Sequence, residues 1–552
     1  MKKILRRVLV VLFAAGALLL LPSAVAGDGF SLGRSMEILI NVFRNISLYY
    51  VDEVDSEQLL KDAAAGMVRN LDPYTEFISA SDVEGFEIMT TGKYGGIGSL
   101  IRQKGDWVLF AEPYKNSPAD KAGIRIGDRL IEIDGKSAQG MTTQQVSDAL
   151  KGEPGSKIKI KVEKWLTGNV EELRIEREII TIPGISYYGM VNDSVGIICH
   201  DDFTEGCSNE MRRAVEALKA EGATSLILDY RSNGGGLLSE AVATLSLFVP
   251  RGSEVVSTRA KDSSNNTTFR TQSDPIDTEI PIVVLVDGNS ASAAEIVSGA
   301  IQDYDRGVLM GQRTFGKGLV QTSIPAGYDT FVKITTAKYY LPSGRCIQAI
   351  DYTSRGADGT TRAVPDSLVS EFSTRAGRKV FDGGGVMPDV PFEPEYASSY
   401  AYVVYNMNLV SDFADQFCKR HYETLTVTPR EYRFTDDDWK EFEAFMAEQD
   451  VPWESSTKSA LDVLRRSAEQ ERYLEGIEEQ IAQIESLISS EEQTLNLHRE
   501  EFRTLIEKEI MLRYAYAEGA IDHSMRDDKG VARAIELLGN PEEYNRLLQP
   551  TE

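Results

Sequence analysis

The chain has few of the residues that hold metals or build disulfide frameworks. Only four cysteines and four histidines occur among its 552 residues. The cysteines lack CxxC spacing, and the histidines form no HExxH motif. These absences exclude a recognisable zinc site and a small disulfide-stapled fold. We expect no metal, no cofactor, and buried free thiols, with one incidental disulfide as the alternative.

Basic residues are also under-represented. Lysine and arginine total 59 against 85 aspartate and glutamate residues, and the formal net charge is -26. Such a surface repels nucleic acid and anionic lipid. A chain of this length with 42% hydrophobic residues can bury several cores, so we expect three or four domains and no nucleic-acid partner.

The amino terminus has the pattern of an export signal. "MKKILRRVLVVLFAAGALLLLPSAVAG" carries four positive charges, then an apolar stretch, then the small-residue site Ala24-Val25-Ala26. We predict a signal peptide over residues 1–26 and an exported protein of the periplasm or cell envelope. An uncleaved anchor, the only membrane contact we expect, is the alternative. Cleavage would change the net charge from -26 to -30, since the segment has four positive charges and no negative one.

Hydrophobic periodicity divides the rest of the chain. Two amphipathic helices open it, in residues 27–87, and short alternating apolar runs such as "RLIEIDG" and "KIKIKVEK" predict a mainly β module over residues 88–166. Over residues 167–395, strand-like runs ("VGIICH", "SLILDY", "PIVVLVD") alternate with helical ones. This alternation predicts an α/β core with a largely parallel sheet.

Residues 396–552 are predicted to be helical. Apolar residues recur every seven positions at Leu474, Ile481, Ile488, Leu495 and Phe502, as in a long helix with a coiled-coil-type seam. A helix hairpin within one subunit explains the seam as well as a dimer interface does, since Glu491 and His498 interrupt it. The sequence leaves open whether this region forms a homodimer, covers the site or binds an adaptor.

Two short segments of the core carry candidate chemistry. In "DGNSASAAEIV", a buried strand precedes a helix, so Ser290 and Ser292 lie at a turn where helix-start amides lack partners. Those amides can stabilise an oxyanion, although serine is also an ordinary helix cap. His200 is the one histidine in the core, and no histidine forms a convincing triad. "RTFGKGLVQ" offers Lys317 instead, and a lysine acts as a base near neutral pH when burial lowers its pKa. Gln321, four residues on, can orient the amine.

Four motifs in this order resemble the carboxy-terminal processing peptidases, also called tail-specific proteases: "DYRSNGGG", "NSASAAEI", "GQRTFGKGLVQ" and "YYLPSGRCIQ". The later "DGGGVMPDV" fits as well. The resemblance implies a multidomain α/β protein with a crotonase-like core. It also implies a Ser292 nucleophile, a Lys317 base supported by Gln321, and an oxyanion hole from Gly235 and the Ala293 amide. Departures from the family pattern beside this turn, at residues 230 and 234, leave the choice of oxyanion glycine open.

The β module resembles a PDZ domain in "YGGIGSLI" and "NSPADKAGIRIGDRLIEIDG". In such domains an extended peptide joins a sheet edge, and loop amides capture its terminal carboxylate. The residues that match the carboxylate loop are Gly96, Ile97, Gly98 and Ser99. We therefore expect an exported serine endopeptidase that cleaves polypeptides with free C-termini. The alternatives are a catalytically silent PDZ scaffold and, more remotely, an acyl-CoA enzyme.

Overall fold

The computed structural model describes residues 29–355, 360–393, 397–488 and 491–550. They form two compact units. One combines the chain up to Ser81 with Gln321–Thr335, and the other contains Asp82–Val320 and the chain from Thr336 onward. The predicted signal peptide, residues 1–26, lies outside the described residues. No helix in the described ranges is long and apolar enough to cross a membrane.

The first unit contains the two helices predicted at the start of the chain. They are α1 (Gly29–Tyr49) and α2 (Ser56–Val68), followed by strand β1 (Glu76–Ile78). Helix α2 begins after Asp55, whose carboxylate accepts hydrogen bonds from the amides of Glu57 and Gln58, as a helix cap does. Strand β1 pairs antiparallel with residues 331–333 of the same unit.

In the second unit, the predicted β module is an antiparallel sheet in the order β3-β4-β5-β7-β8, with β6 beside β5 and with β2 paired to β9. Helix α5 begins with a capping box between Thr142 and Gln145. Strand β8 pairs along its length with β7, so the boundary predicted at residue 166 falls between two paired strands. The elements are α3 (Val83–Thr91), β2 (Lys93–Gly96), β3 (Ser99–Lys104), β4 (Trp107–Pro113), α4 (Pro118–Lys121), β5 (Arg129–Ile133), β6 (Lys136–Ser137), α5 (Thr143–Leu150), β7 (Lys157–Glu163), β8 (Val170–Glu176) and β9 (Glu178–Thr181).

The predicted α/β core is a six-stranded sheet in the order β10-β11-β12-β15-β16-β23. All neighbours run parallel except β10 and β11. Helices α6, α7 and α8 pack on one face. The elements are β10 (Ile185–Met190), β11 (Val195–His200), α6 (Cys207–Glu221), β12 (Ser225–Asp229), α7 (Leu238–Leu245), β15 (Ile282–Val286), α8 (Ala293–Asp303), β16 (Val308–Gly311) and β23 (Val390–Pro391).

Smaller strands flank this sheet. Strand β13 pairs with β14 and with residues 337–340 of β18, while β19 pairs with β20 and β21 with β22. The elements are β13 (Glu254–Ala260), β14 (Thr267–Arg270), β17 (Leu319–Gly327), β18 (Thr330–Tyr340), β19 (Ile350–Arg355), β20 (Thr361–Ala363), β21 (Glu371–Ser373) and β22 (Lys379–Phe381).

The carboxy-terminal region is helical, as predicted, but its seam is not one long helix. Four of the five seam residues are divided among α13, α14 and α15, and Ile488 lies just beyond the end of α13. Helices α12 and α13 form a hairpin closed by the ion pair between Arg465 and Glu485 at 2.8 Å. Tyr516, with φ of 59°, breaks α15 as well. The elements are α9 (Ser399–Asn406), α10 (Leu409–Arg420), α11 (Asp436–Met446), α12 (Ser456–Gln470), α13 (Leu474–Leu487), α14 (Glu491–Leu497), α15 (Arg499–Ser524), α16 (Lys529–Leu538) and α17 (Pro541–Leu547).

The last two helices cover the second face of the core sheet. Val531, Leu537 and Tyr544 pack with Ile197 and Ile227 in one buried cluster. Strands of a parallel sheet are apolar on both sides and need a cover on each. Part of the carboxy-terminal region therefore completes the core.

The same region also holds the β module. Arg102 and Lys104 of β3 lie 3.3 and 2.6 Å from the carboxylate of Asp412, and the Tyr516 hydroxyl donates to Asp120 at 2.9 Å. The carboxy-terminal helices thus contact both the β module and the core.

Candidate active site

Three loops meet at the carboxyl edge of the core sheet. The glycine loop (230–237) follows β12, the serine turn (287–292) follows β15, and the lysine loop (312–318) follows β16. The three strands are adjacent and parallel, so the loops that leave their carboxyl ends lie along one edge. That edge is where open α/β sheets bind ligands.

Ser292 lies at the start of α8 in a rare backbone conformation. Its φ is 55° and its ψ is -113°, outside the regions that residues other than glycine usually occupy. Such a conformation persists only when neighbouring groups hold it, and it is frequent at active sites. Ser292 is half-buried, and among the described residues none accepts a hydrogen bond from the next amide, that of Ala293.

Ser290, the other serine of the motif, has a structural position. It is fully buried, and its hydroxyl donates to the Tyr230 carbonyl oxygen at 2.8 Å. The same hydroxyl accepts from the Asp287 amide at 2.9 Å. Ser290 therefore joins the serine turn to the glycine loop and faces away from solvent.

A buried carboxylate connects the serine turn to the lysine loop. Glu295, on the first turn of α8, is 0% exposed. Its Oε2 accepts from the amides of Ser292 at 2.9 Å and Lys317 at 2.8 Å, and its Oε1 accepts from the Gly316 amide at 2.8 Å and the Thr314 hydroxyl at 2.5 Å. Burial raises the pKa of the Glu295 carboxyl, and these four donors oppose that shift. One side chain thus fixes the backbone of both predicted catalytic residues.

A tyrosine hydroxyl contacts the carbonyl oxygens of both Ser292 and Lys317. The hydroxyl of Tyr339, which is 1% exposed, lies 3.1 Å from the Ser292 carbonyl oxygen and also contacts the Lys317 carbonyl oxygen. Lys317 itself is half-buried. Gly316, with φ of 86°, has no room for a side chain, since a Cβ there would lie 2.4 Å from the Cβ of Ala349. The backbone of the lysine loop is therefore tightly fixed.

The glycine loop packs directly on Ser292. A Cβ on Gly235 would lie 2.7 Å from the Ser292 Cβ and 2.9 Å from the Ala293 amide nitrogen, so only glycine fits. The Gly235 amide, however, already donates to Asn233 Oδ1 at 2.8 Å. Asparagine often bonds the amide two residues on in this way. Of the two predicted oxyanion donors, the Ala293 amide is therefore the one left available in this arrangement, and Gly235 contributes close packing.

His200 is not placed as a catalytic base. It is 0% exposed, and its ring packs against Phe203 and Tyr230 at centroid distances of 4.2 and 5.2 Å. Burial lowers its pKa to about 3, so the ring is neutral at physiological pH. Its carbonyl oxygen accepts from Asn233 Nδ2 at 2.6 Å. His200 thus supports the glycine loop through its backbone.

Gln321 belongs to the other compact unit. There its side-chain amide donates to the Thr335 hydroxyl at 3.3 Å. Its role as a support for Lys317 stays a prediction.

The predicted carboxylate loop lines a cavity of about 360 Å³ between β3 and α5. Gly96, Ile97, Gly98 and Ser99 all contribute to it, together with apolar groups of Leu150 and other residues. Within the described ranges, no acceptor faces the amides of Ile97 and Gly98. Strand β3 is at the edge of its sheet. The cavity thus combines available amides with a strand edge, which is what an extended peptide with a terminal carboxylate needs.

Several residues of the site were not predicted from the sequence. Glu295 stands three positions after Ser292, which is the spacing of a capping box. Asn233 stands two positions before Gly235, which is the spacing of an Asx turn. Both spacings can be recognised in the sequence alone. Tyr339 opens the motif "YYLPSGRCIQ", but its contacts could not be predicted from the sequence, because its partners are 47 and 22 residues away.

The prediction of free thiols is confirmed: all four cysteines are free, and Cys199, Cys207 and Cys418 are buried. No group of three or more residues that could ligate a metal occurs in the described part of the chain.

Family models match three parts of the chain. Residues 194–354 match Peptidase family S41, residues 109–164 match a PDZ domain, and residues 400–538 match the probable PDZ-protease, C-terminal helical domain.

Known proteins are similar over much of the chain. A carboxy-terminal-processing protease of Bartonella bacilliformis is 33% identical over 317 residues, 57% of this chain and 72% of that protein. The carboxy-terminal processing protease CtpA of Bacillus subtilis is 31% identical over 356 residues, 63% of this chain and 76% of that protein. A solved photosystem II D1 C-terminal processing protease is 27% identical, with a TM-score of 0.34 and coverage of 65% of this chain and 87% of that one.

Proposed function

Because this chain belongs to peptidase family S41 together with the carboxy-terminal processing proteases, we propose that it cleaves polypeptides near their C-termini, with Ser292 as nucleophile and Lys317 as general base. One observation carries the assignment of the pair. The buried Glu295 carboxylate accepts hydrogen bonds from the amides of both residues, at 2.9 and 2.8 Å. Two loops that leave different strands are thereby fixed relative to each other by one buried carboxylate.

The chemistry is acyl transfer to water. The Ser292 hydroxyl attacks the scissile carbonyl carbon and transfers its proton to the neutral Lys317 amine. The tetrahedral oxyanion accepts a hydrogen bond from the Ala293 amide. When the C–N bond breaks, Lys317 returns the proton to the leaving amine. Lys317 then takes a proton from the water that attacks the acyl-enzyme carbonyl carbon, and it returns this proton to the Ser292 oxygen as the ester C–O bond breaks and the new carboxyl terminus leaves.

Recognition of the substrate terminus falls to the PDZ domain. The terminal carboxylate accepts hydrogen bonds from the Ile97 and Gly98 amides, and the upstream residues extend edge strand β3. Gly96 and Ser99 flank the carboxylate, and the apolar wall of the cavity, which includes Leu150, receives the terminal side chain. Gln321 supports Lys317. We further propose that residues 1–26 direct the protease out of the cytoplasm, which the amino-terminal sequence of the secreted protein tests.

The test compares one unstructured peptide with a free or an amidated C-terminus. Wild type is expected to cleave the free form faster, and Ser292→Ala and Lys317→Ala are expected to cleave neither. Ser298→Ala is the matched control, since this serine lies on the same helix and, within the described part of the chain, its hydroxyl bonds only to the Ala294 and Glu295 carbonyl oxygens of that helix.

Each outcome has a distinct meaning. Undiminished cleavage by Ser292→Ala or Lys317→Ala contradicts the dyad. Equal cleavage of the free and amidated peptides contradicts terminal recognition. If wild type binds the free peptide but cleaves neither form, the protein is a PDZ scaffold and the proposal is wrong.

A further inference from the structure

An ion pair joins the glycine loop to the carboxy-terminal helices. Arg231 follows β12 and precedes Asn233 by two residues. Its Nη2 lies 2.8 Å from Asp528 Oδ2, and its Nη1 donates to Asp528 Oδ1 at 3.2 Å. On its other side Arg231 Nε donates to Asp229 Oδ1 at 2.9 Å. The guanidinium is therefore held between a carboxylate of the core and one from a helical region almost 300 residues away.

Asp528 is itself firmly placed. Its Oδ1 accepts from the Val531 amide at 2.9 Å, which caps the start of α16. Helix α16 is anchored in turn, because Val531 and Leu537 are buried against the core sheet. The helix start also approaches the guanidinium closely, since a Cβ on Gly530 would lie 3.3 Å from Arg231 Nη1.

The segment after Arg231 leads directly to Ser292. Ser232 has φ of 61°, a strained value for serine, and its amide donates to Asp287 Oδ1 at 3.0 Å. The Asn233 carbonyl oxygen accepts from the Ala291 amide at 2.9 Å. Strained residues persist only when the surrounding structure over-determines them. Arg231 fixes one end, and the packing of Gly235 on Ser292 is the other.

We infer that Asp528 is a positioning residue for the peptidase reaction: by holding Arg231, it keeps the glycine loop seated against Ser292. This inference rests on the proposed role of Ser292 as nucleophile. The carboxy-terminal helical region then contributes to turnover, in addition to covering the sheet. The pair is suited to this because both side chains are largely shielded, with 30% of Arg231 and 22% of Asp528 exposed.

The test variant is Asp528→Asn in the full chain. Asparagine caps helices as well as aspartate does, so α16 keeps its start while one of the two carboxylate charges that hold Arg231 is lost. The kcat for a peptide with a free C-terminus is expected to fall about tenfold or more, since small misplacements at a reacting centre are costly. The KM is expected to stay constant, because the PDZ cavity is not lined by either residue.

Asp522→Asn is the matched control. Asp522 ties the same helical region to the core by accepting from the Tyr187 hydroxyl at 2.5 Å, and it also accepts from Arg430 Nε of its own region at 2.7 Å. It is not bonded to the glycine loop in these contacts. The Asp522→Asn variant is expected to lower the midpoint of urea unfolding as much as Asp528→Asn does, with little loss of kcat per folded molecule.

A second variant, Arg231→Lys, tests the same contact without altering the helix cap. Its kcat is expected to fall, and the double variant Arg231→Lys/Asp528→Asn is expected to fall no further than the worse single variant. Equal kcat values for Asp528→Asn and Asp522→Asn, or additive losses in the double variant, would overturn the inference. If Ser292→Ala keeps full activity, the proposed function fails instead, which is a different and separable result.

Discussion

The sharpest test of the site geometry is the substitution Glu295→Gln. The carboxylate accepts two hydrogen bonds on each oxygen, from Ser292 and Lys317 on one and from Gly316 and Thr314 on the other. Glutamine has the same shape but only one acceptor oxygen, and its NH2 group faces donors. One of the two pairs therefore loses its acceptor.

The expected cost follows from that loss. A buried donor without an acceptor costs about 1–3 kcal/mol, and hydrogen bonds to a neutral oxygen are weaker than those to a carboxylate. We expect Glu295→Gln to lower the free energy of unfolding by about 2–4 kcal/mol. Whichever pair of donors faces the NH2 group, the serine turn or the lysine loop is displaced, so kcat/KM is expected to fall about 100-fold.

Glu507→Gln separates positioning from stability. Glu507 is also buried, at 3% exposed, and accepts from the Phe434 amide at 2.7 Å and from Arg526 at 2.8 Å, far along the chain in the helical region. Both variants are measured by urea unfolding and by peptide cleavage per folded molecule. Equal kcat/KM values for Glu295→Gln and Glu507→Gln at equal folded fraction would contradict the positioning role of Glu295.

Three further predictions concern single side chains. Tyr339→Phe removes the hydroxyl between the Ser292 and Lys317 carbonyls, so kcat is expected to fall about tenfold with KM unchanged in steady-state cleavage. Gly98→Ala would put a Cβ 2.6 Å from the Ser117 Cβ, so KM for a free C-terminus is expected to rise; Gly123→Ala, which has a similar φ and open space, is the control for backbone strain. The pKa of His200 is lowered by burial to about 3, so its stabilising contribution is present above pH 6.5 and is lost as pH falls. Between pH 6.5 and 5, the free energy of unfolding of wild type is expected to drop about 2 kcal/mol more than that of His200→Phe, measured by urea titration.

Local patterns of the sequence predicted much of the fold. Long apolar runs such as Ile282–Val286 became buried parallel strands, and "TTQQVSDAL" became a capped helix. These succeed because one element's own periodicity determines its faces. The coiled-coil seam failed for the opposite reason: Ile488 is extended, and α13 turns back on α12. A seven-residue repeat reports which residues are apolar, and it does not report where the chain turns.

Local sequence patterns predicted Ser292 and Lys317 as candidates and the resemblance implied their roles, while the contacts that hold them came from the structure. Arg345 of "YYLPSGRCIQ" has a structural role, since it forms an ion pair with Asp303 in which both side chains are 1% exposed. A residue within a family motif can thus serve packing. Glu295 is local and has a recognisable spacing, but Tyr339 is placed by long-range contacts, namely the pairing of β18 with β13 and a hydrogen bond from its amide to the Gly318 carbonyl oxygen at 3.0 Å.

The apolar strands of the core require a second covering layer, but their sequence does not identify the carboxy-terminal region as that layer. The strands β11, β12 and β15 are buried on both faces, whereas α6, α7 and α8 cover one. A second cover was therefore necessary, and nothing in the apolar strands says which segment provides it. Helix α16 does so, and its start carries Asp528 to the glycine loop. Deleting the region would expose the sheet and release the loop together, so its two roles are separable only by a substitution such as Asp528→Asn, which keeps the helix cap and removes the charge.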